Sequence, residues 1–138
     1  MAEREAKKVL LVDPIEEEGH QISQHLSSRG YNITCVYSGE QGLASMEKYS
    51  PDIFIVDCEL PDMNCFDFLR KIKKSESWRR PFVFISTYSS DLRILNVYQE
   101  GADYFLPRPF KFEAISNVVD YLIGDLAQED KERLGQLI

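Results

Sequence analysis

Short apolar runs alternate with amphipathic stretches along this chain. Val9-Leu10-Leu11-Val12, Ile53-Phe54-Ile55-Val56 and Phe82 to Ile85 are continuous apolar runs, the pattern of strands buried on both faces. Tyr31 to Tyr37 is β-branched and aromatic with rough alternation and predicts another strand; Tyr104 to Leu106 predicts a short fifth. Between these runs the apolar spacing changes to three and four. Ile15, Gly19, Ile22 and Leu26 mark one face of a first helix, which Gly30 ends. Ser38 and Gln41 form a capping box for a second helix carrying Leu43 and Met46, with Pro51 at its far boundary. A third helix, from about Phe66 to Lys74, turns Leu69 and Ile72 inward. A fourth, capped by Ser89 or Ser90 and closed by Gly101, turns Leu92, Leu95 and Tyr98 inward. The fifth starts near Phe110 and carries Phe112, Ile115, Val119, Leu122 and Leu126. Trp78 falls in a polar loop from Ser75 to Pro81. Strands alternating with helices in this way predict an α/β domain with a parallel sheet covered on both faces.

Length and charge narrow the class. A chain of 138 residues reads as one domain, residues 1–126, followed by a charged tail, residues 127–138, that extends the last helix or begins a linker. Sixteen Lys and Arg against 23 Asp and Glu leave a formal charge of −7, which argues against a general nucleic-acid surface. The basic run Lys71 to Arg80 reads as a solvated face. Cys35, Cys58 and Cys65 form no CxxC pair and no zinc ligand set. Cys58 and Cys65 read as small core or rim residues, and a reducing cytosol is the expected compartment. No apolar stretch approaches the length that spans a bilayer, so no membrane role is expected.

The chemistry gathers at the strand ends. Asp13 follows the first strand, Asp57 the third, Ser86 the fourth and Arg108 the fifth. In an open α/β sheet those ends share one edge, and ligands bind there. Any one of them alone is an ordinary turn residue. Together they supply a carboxylate nucleophile, a metal-binding acid, a hydroxyl donor and a fixed cation. That set can take up a phosphoryl group: the carboxylate attacks, while metal, hydroxyl and cation hold the charged oxygens. Oxygen ligands of this kind suit a hard cation such as Mg2+.

From about Lys8 to Leu126 the chain resembles the receiver domain of two-component response regulators. The matching segments are Leu10-Leu11-Val12-Asp13, Ile55-Val56-Asp57 with Leu60-Pro61-Asp62-Met63, and Phe84-Ile85-Ser86. The most specific is Gly101-Ala102-Asp103-Tyr104-Phe105-Leu106-Pro107-Arg108-Pro109-Phe110. The resemblance implies a flavodoxin-like (βα)5 fold with strand order 2-1-3-4-5. It implies that Asp57 is the phosphoacceptor in a phosphorelay, served by a sensor histidine kinase or phosphotransfer protein. It implies Mg2+ held by Asp13, Asp57 and the backbone carbonyl of Glu59, phosphoryl binding by Ser86 and Arg108, and a switch aromatic at Phe105. A downstream effector, or a second copy of the chain, is expected on the fourth and fifth helices and the fifth strand. Such a domain is a cytoplasmic signalling switch, with at most self-phosphorylation from small donors and slow self-dephosphorylation.

Five positions depart from that pattern, among them Phe105, which lacks the hydroxyl of the tyrosine the family has there. Pro14 stands where the family has its second acid, so weakened Mg2+ binding is expected; Glu16 or Glu17 at the helix start could lean over the site. Arg108 replaces a lysine with a planar fork. Cys65 replaces a glycine, which would strain the turn if that position required a positive φ. Thr87, in place of a small residue, narrows access to Asp57. His20 and His25 read as solvated surface histidines. Two further readings stand beside the phosphoacceptor. A pseudo-receiver would keep the fold as a phosphorylation-independent interaction module, favoured by Pro14 and Arg108. A phosphatase of the haloacid dehalogenase type would use Asp57 and Glu59, but Pro61 and the short chain oppose it.

Overall fold

The computed structural model describes residues 5–75 and 80–138. Five strands form one parallel sheet: β1 (Lys8–Val12), β2 (Asn32–Val36), β3 (Ile53–Asp57), β4 (Phe82–Ser86) and β5 (Tyr104–Pro107), in the order β2-β1-β3-β4-β5. This is the flavodoxin-like order. Six helices are found among the described residues: α1 (Glu16–Ser28), α2 (Gly39–Tyr49), α3 (Cys65–Lys73), α4 (Asp91–Gln99), α5 (Phe112–Ile123) and α6 (Gln128–Leu137). Residues 124–127 separate α6 from α5, and Gly135 of α6 lies against the ring of Tyr121. Trp78 lies outside the described residues.

Alternation along each strand divides the core into two layers. Leu10, Val12, Phe54, Val56, Phe82 and Phe84 face Met46, Phe68, Leu69, Ile72 and Val97 from α2, α3 and α4. Val9, Leu11, Ile53, Ile55, Val83 and Ile85 face Ile22 and Leu26 of α1 and Ile115, Val118 and Val119 of α5. Phe54 and Phe82 stack with ring centroids 4.6 Å apart. Each fully buried Val, Leu, Ile or Phe contributes about 1.5–3 kcal/mol relative to an exposed one, and both layers hold such residues, so the sheet is anchored on both sides.

Local signals explain most boundaries. Ser38 Oγ accepts from the Gln41 amide at 3.2 Å, while Gln41 Oε1 accepts from the Tyr37 amide at 2.9 Å, one residue upstream of the reciprocal bond a capping box makes. Ser90, not Ser89, caps α4 by accepting from Arg93 N–H at 3.2 Å. Gly101 turns the chain after α4 at φ +110°, a region that disfavours any side chain.

Three expectations are corrected. Leu92 and Leu95 do not pack inward: they are 67% and 52% exposed, and Tyr98 is exposed beside them. Val97 is the buried residue of α4, with Ile94 packed against the same core. The helix carries two apolar rows and only one can face the sheet. Ile15 is exposed because it stands at the N-cap of α1, before the helical face begins. His25 is not a solvated histidine. Its Nε2 lies 3.0 Å from Ser116 Oγ, and its ring sits 6.2 Å from that of Phe112, linking α1 to α5.

Candidate functional site

The carboxyl ends of the strands make a rim, and two aspartates shape it in the same way. Asp13 Oδ1 accepts from Ile15 N–H at 2.9 Å, and Asp57 Oδ1 accepts from Glu59 N–H at 2.8 Å. Each aspartate thus closes an Asx turn with one oxygen and leaves the other to the site. The sheet ladders carry the rim upward: Cys58 N–H donates to Ile85 O at 2.8 Å, and Arg108 N–H to Ser86 O at 2.8 Å.

Arg108 is the hub. Its Nη2 donates to Asp57 Oδ2 at 2.5 Å. Nη2 and Nε also grip Glu18 in a fork, at 2.6 Å to Oε1 and 3.0 Å to Oε2. Nη1 reaches Thr87 Oγ1 at 3.2 Å. Such charge-assisted, two-pronged bonds are the strong kind. Asp13 Oδ1 stands 3.8 Å from the same guanidinium, while Asp13 Oδ2 is buried with no hydrogen-bond partner.

Glu18 is the residue that sequence reasoning missed. Glu16 and Glu17 are exposed, and Glu18 enters the site instead. A signal was present: Glu18, Ile22 and Leu26 form one i, i+4 row, and Ile22 and Leu26 are core residues. Side chains on a helix lean back toward its N-terminus, which here means toward the rim. Gly19 lets α1 close in; a Cβ there would meet Cys35 Sγ at 2.9 Å.

On the other side of Asp57, the side chain of Glu59 lies against β4. Its Oε1 is 2.7 Å from Ser86 Oγ and 3.1 Å from Thr87 N. The loop after Glu59 is fastened at Asp62, whose two oxygens accept from the amides of Gly39 and Glu40, both at 2.9 Å. These bonds to the first turn of α2 hold the Asp62 carboxyl below its usual range against the opposing effect of burial.

Three carboxyl groups, Asp13, Glu18 and Asp57, therefore meet one guanidinium, with Glu59 beside Asp57, and their ionisation is uneven. Burial, with the adjacent Glu18 carboxylate and the charge of Asp57, pushes Asp13 up to about 8. Burial also opposes ionisation of Glu18, but the bonds from Arg108, with the adjacent Asp13 carboxyl, outweigh it and hold Glu18 low. Asp57 is raised, mainly by burial and further by Glu59, with Arg108 pulling the other way. Glu59 is lowered despite burial by its contacts with Asp57, Ser86 and the loop amides.

A cation fits this donor set. Asp13, Glu18 and Asp57 each offer a carboxylate oxygen, and these atoms lie within 4.8 Å of one another. Asp13 Oδ2 is buried without a hydrogen-bond partner, an oxygen a cation could satisfy. Hard divalent cations take oxygen ligands of this kind.

The remaining candidates fall as follows. Pro14 is half-buried and offers no carboxylate. Thr87 is exposed at the mouth of the site beside Arg108. Phe105 is buried in the core beside Val97 and Ala102, with its amide donating to Tyr98 Oη at 3.1 Å. Cys65 carries no strain. It is the first residue of α3, behind an Asn64 cap, and Ser50 is the one non-glycine residue with positive φ among those described. Cys58 and Cys65 are both buried free thiols, with Cys58 pushed up by the bond to Cys65 and by burial.

Comparison with known proteins places the chain in a class. A family model for the response regulator receiver domain matches residues 9–120, and the chain belongs to that family. It is 32% identical over 104 residues to the transcriptional regulatory protein CpxR of Klebsiella pneumoniae, covering 75% of this chain and 43% of that protein. It is 32% identical over 118 residues to the two-component response regulator ORR3 of Oryza sativa, covering 83% of this chain and 89% of ORR3. The chain spans about half the length of several curated relatives it matches, such as 42% of TrcR of Mycobacterium tuberculosis and 48% of VanRc of Enterococcus gallinarum. The chemotaxis response regulator CheY4 of Vibrio cholerae shares the fold, with a TM-score of 0.81 at 24% identity, covering 86% of this chain and all of that one.

Proposed function

We propose that this receiver domain is a phosphoryl-accepting signalling switch, with Asp57 as acceptor. The observation that carries the reading is convergence: Arg108 and the Ser86–Glu59 pair flank one buried aspartate, and a second aspartate with an unpartnered oxygen lies beside it. A carboxylate oxygen of Asp57 attacks phosphorus. The bond from phosphorus to the donor breaks, and its electron pair leaves with the donor, a phosphohistidine on a sensor kinase or phosphotransfer protein. Arg108 and the Ser86 hydroxyl donate to the phosphoryl oxygens. Asp13, Asp57, the Glu59 carbonyl and Glu18, which substitutes for the acid absent at Pro14, would hold Mg2+; when bound, the ion neutralises charge on the transferring group. Attack needs ionised Asp57, so the fixed positive charge of Arg108 matters before the donor arrives.

Receiver domains are signalling modules rather than classical enzymes, and chemistry here extends to self-phosphorylation and slow self-dephosphorylation. The partner face is α4, β5 and α5, where Leu92, Leu95 and Tyr98 stand exposed; an effector or a second copy docks there. No helix among the described residues is long and apolar enough to cross a membrane, and a cytoplasmic site of action accompanies the free thiols. The test is intact mass after acetyl phosphate and Mg2+, on wild type and Asp57→Asn. One phosphoryl adduct on wild type alone is expected; no adduct at any Mg2+ concentration rejects the reading.

A second reading rests on a specific observation. Arg108 already neutralises Asp57 and is locked to Glu18, as expected of a pseudo-receiver that works by its surface alone. A null result in the mass experiment favours it.

A further inference from the structure

The donors that would hold a phosphoryl group at β4 are engaged by an internal anion. Glu59 Oε1 lies 2.7 Å from Ser86 Oγ, 3.1 Å from Thr87 N and 3.4 Å from Tyr88 N. Ser86 has one hydroxyl proton and two candidate acceptors, Glu59 Oε1 and Tyr88 O at 2.8 Å. A carboxylate is the stronger acceptor, so the proton goes to Glu59. Tyr88 N–H is better served by Ser86 Oγ at 3.0 Å. That leaves the Ser86 hydroxyl and Thr87 N–H as the pair that grips Glu59. The second oxygen, Oε2, is buried without a hydrogen-bond partner, so every hydrogen bond that Glu59 makes to β4 and the loop after it falls on Oε1.

We propose that Glu59 is a tethered stand-in for a phosphoryl oxygen. It holds the loop between β4 and α4 against the site before Asp57 is modified, and it competes with the incoming group for the same donors. The proposal deepens the phosphoacceptor reading and rests on it. It accounts for two features together: Ser86 is turned to the site, and Phe105 is buried. Glu59 is thus a positioning residue that sets how much of this loop arrangement depends on phosphorylation. Only its side chain is involved. Its amide closes the Asp57 turn and its carbonyl faces the metal role, and Glu59→Ala leaves both in place.

Beryllofluoride with Mg2+ is the probe, and wild type, Glu59→Gln and Glu59→Ala are compared by amide NMR. Before the probe is added, the Thr87 amide proton of wild type is expected downfield of its position in Glu59→Ala. Addition of beryllofluoride moves it little in wild type and far in Glu59→Ala. The half-saturating concentration falls about tenfold in Glu59→Ala, the equivalent of one hydrogen bond to a charged group. Glu59→Gln, which keeps an acceptor oxygen, tightens less. Identical Thr87 shifts in the unliganded proteins overturn the proposal. Equal tightening in both variants also overturns it, because loss of charge alone then suffices. If none of the three takes up the probe relative to Asp57→Asn, the phosphoacceptor reading itself fails and takes the proposal with it.

Discussion

The two corners of the rim solve one problem differently. At both, an aspartate after a buried strand spends one oxygen on an Asx turn and is accompanied by a glutamate. At the β1–α1 corner the glutamate is gripped by a full charge, the guanidinium of Arg108, and the aspartate keeps an unpartnered oxygen. At the β3–β4 corner the glutamate is gripped by neutral donors, a hydroxyl and a backbone amide, and the aspartate takes the guanidinium. The difference divides the labour. A charge-held carboxylate that faces an unsatisfied neighbour is suited to a cation. A dipole-held carboxylate is suited to exchange with another anion.

The largest break should come from removing the shared cation. Arg108→Ala leaves Glu18 and Asp57 facing each other, mostly buried, and should cost about 3 kcal/mol in urea denaturation. Arg108→Lys should recover part of that, without the fork. Next, Glu18→Gln should weaken Mg2+ binding about tenfold, or ~1.4 kcal/mol, by calorimetric titration. Adding Pro14→Asp should restore it. Unchanged affinity in Glu18→Gln would dissolve the contrast between the corners, because Glu18 would then serve Arg108 alone.

A smaller effect per step is expected from pH in the metal-free protein. Asp13 sits near 8 in the fold, against 3.8 ordinarily, with Glu18, Asp57 and Arg108 facing it. The folded state then keeps a proton that the unfolded chain has already released. Stability should therefore fall as pH rises from about 4 to about 8, by less than about 1.4 kcal/mol per unit, and level off above. Melting temperatures in chelator across pH 5 to 9 measure this, and Asp13→Asn should flatten the curve. Smallest is Asp62→Asn, which keeps an acceptor but loses the charge at the start of α2; about 0.5 kcal/mol is expected by thermal denaturation.

Strand ends were the legible part of this molecule. A continuous apolar run that stops at a polar residue places that residue on the rim, so Asp13, Asp57, Ser86 and Arg108 could be brought together from sequence alone. Residues set by helical phase were harder. Glu18 was hidden because proximity in sequence to Pro14 directed attention to Glu16 and Glu17, whereas the row through Ile22 and Leu26 decides which acid turns inward. The same ambiguity misplaced Leu92 and Leu95, since α4 has apolar residues on two faces and periodicity does not rank them. The side chain of Glu59 was invisible for another reason: its partners, Ser86 and Thr87, come from a neighbouring strand and the loop after it.

One flank of the sheet is fastened more firmly than the other. His25 meets Ser116, and Arg29 and Tyr31 both reach Asp120, so α1 and the segment after it are fastened to α5 by side-chain bonds. By contrast α4 is held by one buried residue, Val97, with Ile94 packed beside it and the Tyr98 hydroxyl bonded to Phe105 N–H. A push delivered at the rim is shared between these flanks in inverse proportion to their stiffness. The compliant helix therefore takes most of the travel, and a binding partner that listens for movement does best to rest on its outer surface.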